Sequence, residues 1–185
     1  MNQKKTTIIG IFFIFFLSFI THNLYTWIPS FVTSIFFPVN ESLFEHQKMI
    51  FITTILWGIM ENIILNKKEI PHYNINTSIL LSALSNIIIF LIIYIPIYIA
   101  FGHNLIVTLV IYFISIVISQ IIGYMVLKHH HKYPLLNKIA LLLIIVIIIC
   151  FGVLTYYPIK EEFFFYDKAN QKYGIYNYYD NRKQD

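Results

Sequence analysis

Asn40, Glu41 and Ser42, followed by Glu45, His46 and Lys48, put two carboxylates, an imidazole and an ammonium on one short stretch of chain. Set on a helix, Glu41, Glu45 and Lys48 fall at i, i+4 and i+7 on one face, and Ser42 and His46 form an adjoining stripe. Two kinds of chemistry follow. Carboxylates crowded at a low-dielectric border push one another toward a raised pKa, which makes Glu41 or Glu45 a candidate acid or base, with His46 as the third candidate catalytic group. Glu and His are also ordinary ligands of divalent metals, so His22, Glu45 and His46 form a candidate metal set. His22, Tyr25, Asn40, Ser42 and Lys48 are expected to line the pocket around them. A plainer use competes: Ser42-x-x-Glu45 reads as a capping box, with Pro38 and Asn40 as helix-start residues just upstream. A cap needs neither Glu41, His46 nor Lys48, and their joint presence is what capping leaves unexplained.

These residues stand out because the remainder is so apolar. Of 185 residues, 58% are hydrophobic and only 12% charged, and the mean hydropathy of +0.69 points to lipid as the solvent. A net charge of +4 is a sign of nucleic-acid binding when it forms one stripe, but here the basic residues sit in pairs beside apolar spans, so lipid is the partner expected and nucleic acid is not. The single cysteine, Cys150, excludes an internal disulfide. HExxH, GxSxG, CxxC and Gly-rich phosphate-loop patterns are absent from the sequence.

The fold expected is an all-α membrane protein, a bundle of five transmembrane helices at about 6–27, 46–66, 77–101, 104–127 and 136–157, each near the length a hydrocarbon core of about 30 Å requires. Residues 28–37 are too short to cross and too apolar for open water, which predicts an interfacial or re-entrant segment after the first helix. Residues 158–185 form a short aromatic and charged tail, in which Phe163 to Tyr166 and Tyr173 to Tyr176 flank a polar turn and suggest a small hairpin. Lys4, Lys5, Lys67, Lys68, Lys128, Lys132 and Lys138 all flank the side that holds the N-terminus. By the positive-inside rule the N-terminus is cytoplasmic and the C-terminus extracytoplasmic, in a multi-pass protein of the cell membrane. Arg182 and Lys183 in the tail run slightly against that count. The polar cluster then lies at the outer leaflet, where topology also brings His22 and His103.

Inside the spans, Ser115, Ser119 and Gly123 make a small-residue stripe expected to pack against another helix. Pro96 is expected to kink the third span, while Asn86, Gln120 and Tyr124 could bond across the bundle or line a path. Glu61 is expected to reach the inner interface. His129, His130 and His131, flanked by lysines, read as a headgroup-binding loop.

The run Phe37-Pro38-Val39-Asn40-Glu41-Ser42, then Glu45-His46 and Lys48, resembles the signature of a family of uncharacterised small bacterial integral membrane proteins, a domain of unknown function. His22, Tyr25, Asp167 and Tyr173-Gly174 also look like that pattern. Phe44 stands where Trp is common in it, and Gln47 where an apolar residue is commoner. The resemblance implies the architecture and singles out the cluster without implying an activity.

Three function classes remain open. One is a membrane-embedded metal- or acid/base-dependent enzyme acting on a lipid-like or extracytoplasmic substrate, its cofactor a divalent metal if one binds. The second is a small-solute or ion transporter or channel component running past Asn86, Gln120, Tyr124 and Glu61. The third is an accessory protein whose tail binds a membrane partner. A five-helix chain that transports would need a homo-oligomer.

Overall fold

Long apolar runs with a polar cap at one end form the helices of the computed structural model, which describes residues 2–175. Five are long and apolar enough to cross a membrane: α1 (Gln3–Trp27), α3 (Leu43–Lys67), α4 (Ile75–Phe101), α5 (Leu105–Leu127) and α6 (Pro134–Tyr156). By length and composition they suggest a multi-pass membrane protein. Four short elements complete the described residues: α2 (Phe31–Phe36), α7 (Glu162–Phe165) and the antiparallel strands β1 (Tyr166–Asp167) and β2 (Lys172–Tyr173). Tyr176 and the rest of the tail, with Arg182 and Lys183, lie outside the described residues.

Helices α1 and α3 begin before the spans read from the sequence because polar caps start them. Asn2 accepts from the Lys5 backbone N–H at 3.0 Å, and Ser42 from that of Glu45 at 3.4 Å. The α3 box closes differently from the pattern in the sequence. Glu45 does not reach back to the Ser42 N–H, which instead donates to Asn40 Oδ1 at 2.8 Å, leaving the Glu45 carboxylate for other partners.

Helices α1, α3, α4 and α5 form a ring, each packed on the next and α5 back on α1; α6 lies outside it against α4 and α2. Helix α3 is buried over most of its surface, because the ring closes on one side of it and α2, α6 and α7 on the other. Trp57, Ile14, Phe90 and Ile116 fill the ring interior, and Phe51, Ile55, Ala83 and Ile144 the layer beneath α6. Gly10 is needed for close approach: a Cβ there would overlap the Trp57 indole.

The small-residue stripe of α5 packs on α4 through hydrogen bonds that water could not supply in lipid. Ser78 Oγ donates to Gly123 O at 2.8 Å, Ser82 Oγ to Ser119 O at 2.9 Å, and Gln120 Nε2 to Ser82 Oγ at 3.0 Å. Ser115 donates to Asn86 Oδ1 at 2.7 Å, and Asn86 Nδ2 to Thr54 Oγ1 at 3.1 Å, tying α5, α4 and α3 together. Asn86 and Gln120 are thus held between helices. Glu61, expected at an interface, is buried on α3 against Thr6 of α1, because the first turn of α1 covers it.

The segment after α1 folds as α2, capped by Ser30 and Thr33 in a reciprocal box. Its Ser34 is buried and bonded to Tyr156 at 2.7 Å, while Phe31 and Val32 face outward. The tail is strapped to the α2–α3 loop: Asn40 Nδ2 donates to Gly174 O at 2.9 Å, the Ile175 N–H to Thr155 O at 3.2 Å, and the Glu41 N–H to Asp167 Oδ2 at 3.1 Å. Gly174 has φ +64, and a Cβ there would meet Thr155 O at 2.7 Å.

Candidate metal centre

The polar stretch at the start of α3 divides into two halves that face opposite ways. Glu41 precedes the helix, so it does not share a face with Glu45 and Lys48, and its carboxylate turns toward α1. There His22 Nε2 lies 3.5 Å, and His46 Nε2 3.6 Å, from Glu41 Oε2, and the two imidazole nitrogens are 3.3 Å apart. Among the described residues, this is the set of His, Cys, Asp or Glu whose donor atoms converge for a metal. A tetrahedral ion with bonds of about 2.0–2.2 Å has ligand-to-ligand edges of about 3.3–3.6 Å. The three separations match one face of such a tetrahedron.

Protonation sharpens the point. His46 Nδ1 sits 2.9 Å from the Ser42 carbonyl, which can only accept, so Nδ1 carries the hydrogen and neutral Nε2 presents a lone pair to the centre. Glu41 Oε2 also only accepts. Such a convergence requires either a hydrogen on His22 Nε2, carried by the neutral tautomer or by the imidazolium, or a cation between all three. The neighbouring His22 imidazole holds the Glu41 carboxyl below its ordinary pKa, against the opposing effect of partial burial, so the group stays ionised.

All three side chains line a cavity of about 530 Å³ inside the ring of α1, α3, α4 and α5. Its floor is apolar, built from Met49, Ile50, Phe90 and Leu109, and its mouth carries Tyr98, His103 and Lys168. The tail hairpin covers one side of the mouth. Asp167, inside that hairpin, is fully buried; burial alone would raise its pKa, but N–H groups of Asn170, Glu41 and Ala169 outweigh it and lower it. A cation on these three atoms would keep a fourth position that opens onto the cavity.

The other half of the stretch is structural. Glu45 and Lys48, 1% and 0% exposed, form a buried ion pair. Lys48 Nζ also donates to Ser34 O and to Thr155 Oγ1, each at 2.8 Å; Thr155 in turn donates to Glu45 Oε1 at 2.8 Å, and the Val39 N–H to Glu45 Oε2 at 3.3 Å. That network pins α2, the α2–α3 loop and α6 onto α3. It occupies the carboxylate that the sequence offered as acid, base or ligand, and Glu41 stands with the histidines in its place. Asn40 and Ser42 are buried in the loop that presents Glu41. Tyr25 lies outside the cavity lining, on the side of α1 nearer Tyr156.

A sequence profile described as a family of unknown function, DUF6512, matches residues 1–175. The chain belongs to that family. No curated protein and no solved structure matches it. The DUF6512 match spans the elements that line the cavity, α1, α3, α4, α5, α7 and β1, and those that add to the network beside it, α2 and α6.

The cavity lining includes residues that the sequence did not single out, notably Tyr94, Tyr98 and Lys168. The first two had a signal: with Phe90 they recur every four residues on α4, an aromatic stripe turned toward the bundle. Thr155, the hub of the ion-pair network, had none.

Gln47 of this DUF6512 chain, on α3, has both amide atoms buried and without a hydrogen-bond partner. An orphaned buried polar group costs about 1–3 kcal/mol. Gln47→Leu is expected to raise the thermal midpoint of the purified protein by several degrees. An unchanged or lowered midpoint would mean the amide is satisfied.

Proposed function

We propose that this chain is a membrane-embedded metalloenzyme, with a divalent cation on His22 Nε2, His46 Nε2 and Glu41 Oε2. The observation that carries this is the triangle of donor atoms opening onto the cavity. A cation held by three protein ligands keeps a position for water and lowers its pKa to about 7. The reaction class is hydrolysis: a cation on these residues would supply an activated water for attack on an acyl or phosphoryl centre, and the proton that water gives up would pass to the departing alkoxide, which leaves as the alcohol. His103, in the same cavity and outside the ligand set, is placed to carry that proton. The hydrogen bond from His46 Nδ1 to Ser42 O orients its ligand atom, the usual second partner of a metal-bound imidazole.

The cavity opens at the end of the bundle that carries α2 and the tail. The lysine asymmetry favours that end as the extracytoplasmic one, with the N-terminus inside. Asn86 and Gln120, held in helix-to-helix hydrogen bonds, favour an enzyme over a solute path. Elemental mass spectrometry of the purified protein is expected to find about one divalent ion per chain, and His22→Ala, His46→Ala and Glu41→Gln are expected to bring it to background. Wild-type protein that stays metal-free after incubation with zinc or manganese would contradict the assignment, as would metal lost only with the histidines at 129–131.

A further inference from the structure

We infer that the substrate is an amphiphile with an anionic headgroup, its head held between the metal centre and Lys168 and its apolar part seated in the cavity below. This rests on the cavity being the site of the proposed reaction. The charges around the cavity point one way. Of the two carboxylates that line it among the described residues, Glu41 is shared by two imidazoles, and Asp167 has its oxygens filled by four N–H groups. Lys168 is different: its ammonium has a neutral partner, the Tyr98 hydroxyl at 2.7 Å, and the Tyr98 ring at 5.3 Å from its centre. A divalent cation on Glu41 leaves the lining with net positive charge, and an anion is the ligand that completes it.

The shape selects the rest of the molecule. Tyr98 at the mouth and Phe90 at the floor are about 12 Å apart along α4. Between those levels the walls are mostly hydrocarbon and aromatic. A free anion would leave that apolar depth empty, whereas an alkyl chain removes it from water at about 25 cal/mol per Å². The volume lies within the usual range for ligand pockets, about 300–1,000 Å³.

The probes are dodecyl phosphate, dodecyltrimethylammonium and inorganic phosphate, added to the full-length protein in a neutral maltoside detergent and counted as adducts by native mass spectrometry. Metal content is measured on the same samples. Dodecyl phosphate is expected to bind once per chain, at least tenfold more tightly than the other two, with Lys168→Gln removing most of that preference and Leu109→Trp, which narrows the floor, weakening the chain-bearing probe alone. Equal binding of the cationic amphiphile, or wild-type behaviour in both variants, overturns the inference. Inorganic phosphate binding as tightly as dodecyl phosphate overturns it too, in favour of a site for a free anion. A metal-bearing sample with no preference for dodecyl phosphate refutes the substrate class alone. A metal-free sample refutes the proposed function, and this inference with it.

Discussion

Lys48→Met is expected to destabilise the protein by about 3–5 kcal/mol, because it leaves the Glu45 carboxylate buried without its counter-charge. In a chain of this size that corresponds to a fall of roughly 6–20 °C in the thermal midpoint. Glu45→Leu is expected to do comparable harm by stranding Lys48 against Ser34 O and Thr155. The double variant, Glu45→Leu with Lys48→Met, removes both charges and is expected to be more stable than either single one, since a buried ion pair replaced whole by apolar groups is often neutral or better. Thermal unfolding in a neutral detergent reads all three. Single variants within about 1 °C of wild type would show that the pair is hydrated and does not pin α2 and α6 to α3.

Variants in the other half of the stretch are expected to behave in the opposite way. Metal added to stripped protein at about a thousandfold its dissociation constant stabilises the folded state by about 4.1 kcal/mol. The midpoint is then expected to rise by roughly 8–16 °C. His46→Ala is expected to abolish that rise with little change in the metal-free midpoint, because the contacts it loses are those to the Ser42 carbonyl, His22 and Glu41. Falling pH opposes the rise, since protons compete with the metal for imidazole and carboxylate atoms. A midpoint indifferent to zinc, manganese and magnesium in wild-type protein would contradict this. Stability and metal response thus report separately on Glu45 with Lys48, and on Glu41 with the histidines.

The helical architecture was legible because lipid makes hydropathy a strong signal: the five long helices lie where apolar runs of sufficient length lie, and the early starts of α1 and α3 follow from Asn2 and Ser42 as caps. The polar cluster was legible as a place, since charge beside so much hydrocarbon is costly. Its internal division was not. Placing Glu41, Glu45 and Lys48 on one helical face assumed that the helix already included Glu41, whereas α3 begins at Leu43 and Glu41 is free to turn toward His22. Nor could spacing reveal that Thr155 and Ser34, far along the chain in each direction, would take up Glu45 and Lys48. Such partners come from packing between helices, on which a single sequence is silent. Asn86 and Gln120 were ambiguous for the same reason, and only their helix-to-helix bonds favour packing over a path.

The account's central claim is that the two Nε2 atoms and Glu41 Oε2 hold one cation. X-ray absorption at the edge of the bound metal tests it most directly. The account expects two imidazole nitrogens at about 2.0–2.1 Å with carboxylate and water oxygens completing the shell in wild-type protein, and no bound-metal edge above background in His22→Ala or His46→Ala. A shell unchanged in both His22→Ala and His46→Ala, or one without imidazole, would contradict it.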